Sequence, residues 1–150
     1  MLRCIFCAIV QGEAPASIFW EDEQLLGFMD IYPWRPGHAL VIPKTHAQHI
    51  SGIPTEVAYA LWKLGLRVAA GMRSGAIDCR DVHFLLNDGK AANQTVPHIH
   101  LHIIPRTGGD LGRLMAELLK RPFLPLLQPT SRDELDTQAN ALRAALPPEN

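Results

Sequence analysis

The sequence has few cysteines, no block of like charges and no long apolar run. Only three cysteines occur in 150 residues, which argues against a disulfide framework and for a reducing compartment. The formal net charge is -1 at pH 7, so a broad nucleic-acid-binding surface is not expected. No apolar run approaches the ~18 residues that a membrane-spanning helix needs.

The N-terminal segment resembles a secretory signal peptide only weakly. Arg3 precedes an apolar run over residues 4–10, but Gln11 and Glu13 interrupt the sequence that follows. A signal peptide has a longer apolar stretch before its cleavage site. We therefore expect a cytoplasmic protein that binds neither membranes nor nucleic acid.

The composition is that of one globular domain. Apolar residues make up 47% of the sequence and charged residues 19%, as in ordinary soluble proteins. A chain of this length buries about 68–70% of the surface that its unfolded form exposes. We expect a single domain over residues 1–150.

Five short apolar runs predict β-strands. They cover residues 17–20, 25–30, 38–43, 82–87 and 98–104. The polar residues between the first two runs predict a hairpin. One apolar stripe at helical spacing predicts a helix over residues 54–73; its members are Val57, Leu61, Leu64 and Val68.

Two more helices are predicted after the last strand. Asp110 precedes a short amphipathic segment and is a candidate N-cap, and Ser131 with Glu134 has the spacing of a capping box. Between these helices, prolines that include Pro122 and Pro125 predict an extended stretch. The order of strands and helices indicates an α+β domain with an antiparallel sheet.

Three histidines alternate with aliphatic residues in the sequence HIHLHII, residues 98–104. A strand would place His98, His100 and His102 on one face, about 6.5–7 Å apart along the chain. Neutral imidazole is nucleophilic and can attack phosphorus to form a covalent intermediate. The alternatives are a metal site that uses two of these histidines and a chance placement on a half-exposed face.

Cys4 and Cys7 are separated by two residues, a spacing that is common in zinc sites. Zinc needs two more ligands, and the spacing alone does not identify them. Two buried thiols without a metal are the alternative. Cys79 and His83 lie elsewhere in the sequence and are expected to be structural.

The sequence QTVPHIHLHII resembles the signature of the histidine triad (HIT) family. The resemblance continues upstream through CIFC, MDI and GHALVIPK in the same order, and it covers residues 4–106. It implies a HIT-like α+β fold with an antiparallel sheet of about five strands, one main helix and C-terminal helices. The domain would have its core in residues 4–106 and a helical extension over 107–150.

The resemblance implies a nucleotide hydrolase or transferase that acts on the α-phosphate of nucleoside phosphoramidates or dinucleoside polyphosphates. His100 would be the nucleophile and carry a nucleotidyl group, His102 would bind the phosphate, and His38 would complete the phosphate pocket. The expected partners are a small-molecule nucleotide, with adenosine favoured, and a second copy of the chain in a homodimer.

The resemblance also assigns substrate-binding residues, which are Phe28, Asp30, Ile31, Asn87, Gln94 and Thr95. The first three would surround the base and the ribose, and the other three would contact the phosphate, its loop or the leaving group. The residue types also fit ordinary roles in the core, in a turn and in loops. Asn93 stands where the family pattern has glycine, and Asn tolerates positive φ better than most residues.

The resemblance to zinc-bearing bacterial members adds His46 and His98 to Cys4 and Cys7 as ligands of a structural zinc. Four protein ligands leave no position for an activated water. His49 is a rival ligand, three residues after His46.

Two other functions fit the same residues. One is a metal-dependent hydrolase in which the three triad histidines bind the metal. The other is a nucleotide-binding regulatory module with little or no catalysis, although such a module would not need the nucleophile His100. The roles of two tryptophans are not decided by the sequence. Trp62 belongs either to the core or to a dimer contact, and Trp34 either flanks the base or holds its loop.

Overall fold

A five-stranded antiparallel sheet organises the computed structural model, which describes residues 4–120 and 128–148. Its strands are β1 (Ile18–Glu21), β2 (Leu25–Met29), β3 (Ala39–Pro43), β4 (Asp81–Leu86) and β5 (Leu101–Arg106). They lie in the order β1-β2-β3-β5-β4, and each neighbouring pair is antiparallel. The predicted α+β class and five-stranded sheet are confirmed, including the β1–β2 hairpin.

Four α-helices accompany the sheet in the described residues. They are α1 (Ile5–Val10), α2 (Thr55–Gly71), α3 (Leu111–Lys120) and α4 (Arg132–Ala145). The capping prediction for α4 is confirmed, because the Ser131 hydroxyl accepts a hydrogen bond from the Glu134 N–H at 3.3 Å. The extended stretch predicted around Pro122 and Pro125 lies outside the described residues. Within residues 4–120 and 128–148, every helix falls short of the length or the apolar character that a membrane crossing requires.

Helices α2 and α4 cover one face of the sheet. Leu61, Leu64 and Val68 of α2 are buried against this face, as the predicted stripe requires. Gly65 allows the helix to approach closely, because a Cβ at this position would lie 2.7 Å from a methyl group of Leu101. Helix α4 adds its own apolar stripe to the same core; its members are Leu135, Ala139 and Leu142.

The short helix α1, which the sequence patterns did not predict, covers part of the other face. Phe6 and Ile9 of α1 pack on alternate residues of β2 and β3, which are Leu26, Phe28, Leu40 and Ile42. Side chains alternate between the two faces of a strand, so the residues of β2 and β3 that lie between these four point to the face covered by α2. The triad histidines share the α1 face, so the site lies between α1 and the sheet.

A buried ionic network fixes the chain after β5. Asp110 is 6% exposed, and its carboxylate accepts hydrogen bonds from Nε of Arg106 and from the Thr107 N–H, both at 3.0 Å. Nε of Arg35 lies 3.6 Å from the same carboxylate. The hydrogen bond from Arg106 holds the pKa of Asp110 well below its usual range. Asp110 immediately precedes α3, and its carboxylate joins α3 to β5 and to the loop before β3. Because these bonds go to residues before the helix, its role as the N-cap of α3 stays a prediction.

Candidate functional site

His100 has its imidazole fixed in one orientation. The ring is 2% exposed, and Nδ1 lies 2.7 Å from the carbonyl oxygen of His98. A carbonyl oxygen can only accept, so Nδ1 must carry the proton. In the neutral imidazole Nε2 then carries the lone pair, and His100 lines a cavity on the α1 face of the sheet.

His102 and His38 form a hydrogen-bonded pair beside this ring. Nε2 of His38 lies 2.9 Å from Nδ1 of His102, and the Trp34 N–H donates to Nδ1 of His38 at 3.2 Å. Because Nδ1 of His38 accepts, Nε2 of His38 carries the proton and donates it to Nδ1 of His102. Nε2 of His102 then carries a proton, and His102 also lines the cavity. The cavity thus receives a nucleophilic nitrogen and a donor from neighbouring rings, whose centroids are 4.7 Å apart.

The imidazoles meet more closely than the spacing along a strand indicates. The strand β5 begins only at Leu101, so His98 and His100 precede it in an extended segment. The alternation is nevertheless confirmed, because Ile99, Leu101 and Ile103 are fully buried on the opposite side.

The cavity has a volume of about 460 Å³, within the range of small-molecule sites. His100, His102 and Thr95 lie at its polar end. Its remaining wall is mainly apolar and includes Phe6, Ile9, Phe28, Leu40 and Val96. An apolar slot with two imidazoles at one end suits a molecule that joins a flat ring to a phosphate.

The nucleoside-binding residues proposed from the resemblance line this cavity. Phe28 is 3% exposed and meets Phe6 edge to face, at 5.5 Å between ring centroids. Asp30 is 9% exposed, accepts from the Tyr32 N–H at 2.9 Å and lies 3.5 Å from Nδ1 of His38. Ile31 is exposed at the mouth. Phe28 therefore packs in the core and also lines the cavity, so it can fill both of the roles considered for it.

The loop between β4 and β5 brings only Thr95 and Val96 to the described cavity wall. The amide of Gln94 is engaged at both ends, since it accepts from the Gly89 N–H at 3.1 Å and donates to the Gln48 carbonyl at 2.7 Å. Asn87 donates to the Asn93 carbonyl at 3.4 Å. Asn93 has φ 62°, which confirms that the position uses the positive φ that glycine supplies in the family pattern.

Cys4, Cys7, His46 and His98 gather around one point. His98 Nδ1 lies 3.6 Å from each cysteine sulfur, and His46 Nδ1 lies 3.3 Å from both Cys7 Sγ and His98 Nδ1. Around tetrahedral zinc, with Zn–S ~2.3 Å and Zn–N ~2.0 Å, two nitrogens are roughly 3.3 Å apart and a sulfur and a nitrogen roughly 3.5 Å. The donor set and its spacing fit a structural zinc ion.

His98 is oriented toward this cluster by its second nitrogen. Nε2 lies 2.8 Å from the Pro43 carbonyl oxygen, so Nε2 carries the proton and the lone pair of Nδ1 faces the cysteines. Burial lowers the pKa of His98, which keeps the ring neutral, as a metal ligand must be. The carbonyl of the same residue orients His100.

The other metal hypotheses have weaker geometry. His49 lies 2.9 Å from Asp88 through Nδ1, away from the cysteine cluster. A second group of Asp30, His38 and His102 also has close ligand atoms, but both nitrogens of His38 are already hydrogen-bonded. Within the described part of the chain, no potential metal group joins all three triad histidines.

Sequence reasoning missed two side chains at the site, Phe6 and Arg132, and left the role of Trp34 open. Phe6 lies between the two cysteines in sequence and packs on His100 at 5.3 Å between ring centroids. Trp34 stacks on His102, with 6.4 Å between centroids, at the histidine end rather than beside the apolar wall. Arg132, from α4, lines the cavity. Only Phe6 had a signal in the sequence, its helical spacing from Ile9.

Comparisons with known proteins agree with this geometry. A family model for the HIT domain matches residues 11–109. A HIT-like protein of Mycobacterium tuberculosis is 42% identical over 109 residues, which are 73% of this chain and 75% of the relative. A protein of Saccharomyces cerevisiae named adenosine 5'-monophosphoramidase is 39% identical over 112 residues, 75% of this chain and 68% of the relative.

A solved structure extends the similarity beyond the matched segment. The zinc-bound histidine triad family protein from Mycobacterium smegmatis has a TM-score of 0.78 and 40% identity. The match covers 96% of this chain and 93% of that one. The family model, the sequence identities and the shared fold agree, and the chain belongs to the histidine triad (HIT) family.

Proposed function

We propose that this protein is a nucleotide hydrolase or transferase that uses His100 as its nucleophile. The observation that carries the proposal is the hydrogen bond from Nδ1 of His100 to the His98 carbonyl, which leaves the lone pair on Nε2 beside the cavity. The name of the yeast relative supports a nucleoside phosphoramidate as substrate, with adenosine as the first base to test. Dinucleoside polyphosphates present the same α-phosphate.

The reaction takes place in two displacements. Nε2 of His100 attacks the α-phosphorus and forms a P–N bond, while the bond to the leaving group breaks and the leaving group keeps its electron pair. The N–H of His102, held by His38, donates to a phosphate oxygen and stabilises the charge that develops there. Water then attacks the phosphorus, the P–N bond breaks and its electron pair returns to Nε2 of His100, and the nucleoside monophosphate is released. The proton that the water loses to solvent balances the one that the leaving group takes up.

The apolar walls and Asp30 bind the nucleoside in this scheme. Phe28 and Phe6, which meet edge to face, form one wall against which the base packs, and the carboxylate of Asp30 accepts from the ribose hydroxyls. Thr95, at the polar end, lies where its hydroxyl can assist the leaving group. Asn87 and Gln94 support the phosphate loop through their hydrogen bonds within it.

A structural zinc ion completes the N-terminal part of the site. Cys4, Cys7, His46 and His98 would hold it, and four protein ligands would leave it no catalytic water. The ion would tie α1 to the segment before β5, where His98 orients the nucleophile. The three cysteines of the described residues form no disulfide, which supports the expected cytoplasmic location, because thiolate ligands persist in reducing compartments.

An exposed apolar surface supports the expected homodimer. Tyr59, Trp62 and Leu66 of α2 are 72%, 41% and 61% exposed, and the Trp62 ring lies 5.9 Å from that of Phe84 on β4. The strand β4 is at the sheet edge, where a second strand can pair. Trp62 is therefore better placed for a dimer contact than for the monomer core.

Trapping the intermediate tests the proposed chemistry. The protein is mixed with adenosine 5'-phosphoramidate, quenched rapidly in acid-free denaturant, and analysed by intact-mass spectrometry. We expect a mass increase equal to one AMP group in the wild type and in His83→Ala, and none in His100→Ala. His83 is a suitable control because it is an exposed histidine of β4, outside the cavity, whose ring bonds Arg106 of β5. A fully active His100→Ala protein would reject the assignment.

Two measurements separate the alternative functions. A hydrolase with metal-bound triad histidines would lose its initial rate on brief EDTA treatment, whereas the His100 mechanism keeps it. A regulatory module would bind AMP without turning over any phosphoramidate or dinucleoside polyphosphate.

A further inference from the structure

Arg132 brings a permanent positive charge to the cavity from outside the matched HIT domain. It is the first residue of α4, whereas the family model ends at residue 109. It lines the cavity together with Pro15 and Ala16. Among the described residues of this wall, Arg132 is the one lysine or arginine, so it is the main candidate for polar recognition at the apolar end.

The guanidinium of Arg132 is held by a buried hydroxyl. Nη1 donates to Ser17 Oγ at 3.0 Å, and Nη2 donates to the Pro15 carbonyl at 3.4 Å. Ser17 is 2% exposed and donates its own proton to Asp136 at 2.6 Å. These contacts use two of the five N–H groups of the guanidinium. Within residues 4–120 and 128–148 the other three have no described partner and can donate to a ligand, and the side chain is already fixed before binding.

The contacts of Arg132 place it on the base side of the cavity. The loop that it bonds packs through Ala14 and Ala16 into the apolar cluster of Phe6 and Phe28. The proposed phosphate end is made by His100 just before β5, His102 on β5 and His38 just before β3. A base packed against this apolar wall would therefore present its edge to Arg132.

We infer that Arg132 reads the edge of the base and makes this protein favour guanosine over adenosine substrates. Apolar walls contact the faces of both purines alike. The edges differ, because guanine offers two acceptors, O6 and N7, whereas adenine offers N7 beside an amino donor. A guanidinium can only donate, so it pairs with guanine and meets a second donor on adenine.

The kinetic test of this inference rests on the proposed function, because it requires the protein to cleave phosphoramidates. A binding test does not require cleavage. The kcat/KM values for guanosine and adenosine 5'-phosphoramidate are compared in the wild type, Arg132→Ala and Arg132→Lys. We expect the guanosine-to-adenosine ratio to fall about tenfold in Arg132→Ala, the size of one bidentate base contact. Lysine keeps the charge but lacks the planar fork, so its ratio should fall as well.

Arg143→Ala is the matched control, because Arg143 lies on the same helix and bonds the Ile18 carbonyl. Its ratio should equal that of the wild type. A loss shared equally by both substrates in Arg132→Ala, or an unchanged ratio, would overturn the inference.

Calorimetric titration with GMP and AMP distinguishes the two proposals. Tighter GMP binding that depends on Arg132, in a protein that cleaves neither phosphoramidate, would reject the proposed function and keep the base preference. Cleavage of both phosphoramidates with equal GMP and AMP affinities would do the reverse.

Discussion

His98 and His100 are two residues apart, yet each presents a different nitrogen to a different site. A carbonyl oxygen binds Nε2–H of His98 and leaves Nδ1 for the cysteine cluster. A carbonyl oxygen binds Nδ1–H of His100 and leaves Nε2 for the cavity. The comparison teaches that the backbone acceptor, rather than the residue type or its position in the motif, decides which chemistry a triad histidine can perform.

Replacing the nucleophile should have the largest effect. In His100→Ala we expect kcat for a nucleoside phosphoramidate to fall about 10⁴-fold or more, because no other group in the site has the same lone pair beside the phosphorus. Zinc content and the midpoint of thermal unfolding should stay close to those of the wild type. Steady-state kinetics and elemental analysis check this, and a loss smaller than tenfold would contradict the division between the two histidines.

Removing both thiols should affect the cysteine cluster that His98 faces. In the Cys4→Ser, Cys7→Ser double variant we expect bound zinc to fall from about one per chain to near zero, because the hydroxyls are poor zinc ligands. The midpoint of unfolding should fall, and kcat/KM should drop about 10–100-fold through the altered position of His98. Cys79→Ser is the control and should keep its zinc. Undiminished zinc in the double variant would refute the ligand set.

Asp110→Asn tests whether the fold can be weakened while the site is left intact. We expect a loss of about 3 kcal/mol in the free energy of unfolding at pH 7, since the carboxylate is buried with Arg106, and kcat within twofold of the wild type. Denaturant titrations measure the first quantity. The exposed Asp81→Asn serves as control, with almost no change.

The same variant has a defined pH dependence. The pKa of Asp110 is lowered in the folded protein, so its stabilising contribution is complete above the unfolded pKa of about 3.9 and declines as the pH falls below that value. The stabilities of wild type and Asp110→Asn should therefore converge in acid. A difference that stayed constant down to pH 3 would show that the charge of Asp110 is not responsible.

His49→Ala should have the smallest effect. The exposed pair of His49 and Asp88 contributes about 0–1 kcal/mol, and zinc binding should not change because His49 points away from the cysteines. His46→Ala, three residues earlier, should weaken zinc binding strongly. Competition with a zinc chelator compares the two, and equal losses would mean that His49 shares in the metal site.

The strands and the main helix could be predicted from the sequence because each has a clear period. The apolar runs locate β1 to β4 within about a residue, and the stripe from Val57 to Val68 locates α2. Helix α1 was missed since six residues are too few for periodicity to be distinguished from a simple apolar run. The start of β5 was placed too early because the alternation of the histidines continues beyond the paired strand.

The residues of the candidate site were also accessible, but their orientations were not. The motif identifies His98, His100 and His102. The carbonyl that orients His98, however, belongs to Pro43, more than fifty positions away in sequence. Arg132 could not be assigned to the site from the sequence for a similar reason, because its partners Pro15 and Ser17 lie over a hundred positions earlier. Such contacts follow from tertiary packing, and no local pattern encodes them.

The position of Phe6 on α1 has a thermodynamic consequence. Cys4 and Cys7 flank this residue, while its ring touches His100 and Phe28 and forms part of the cavity wall. A zinc ion bound by the two thiols would restrain the wall against which we propose that the base packs. Linkage between two binding sites is reciprocal. If the bound ion increases the affinity for the nucleotide by some factor, the bound nucleotide must increase the affinity for the ion by the same factor.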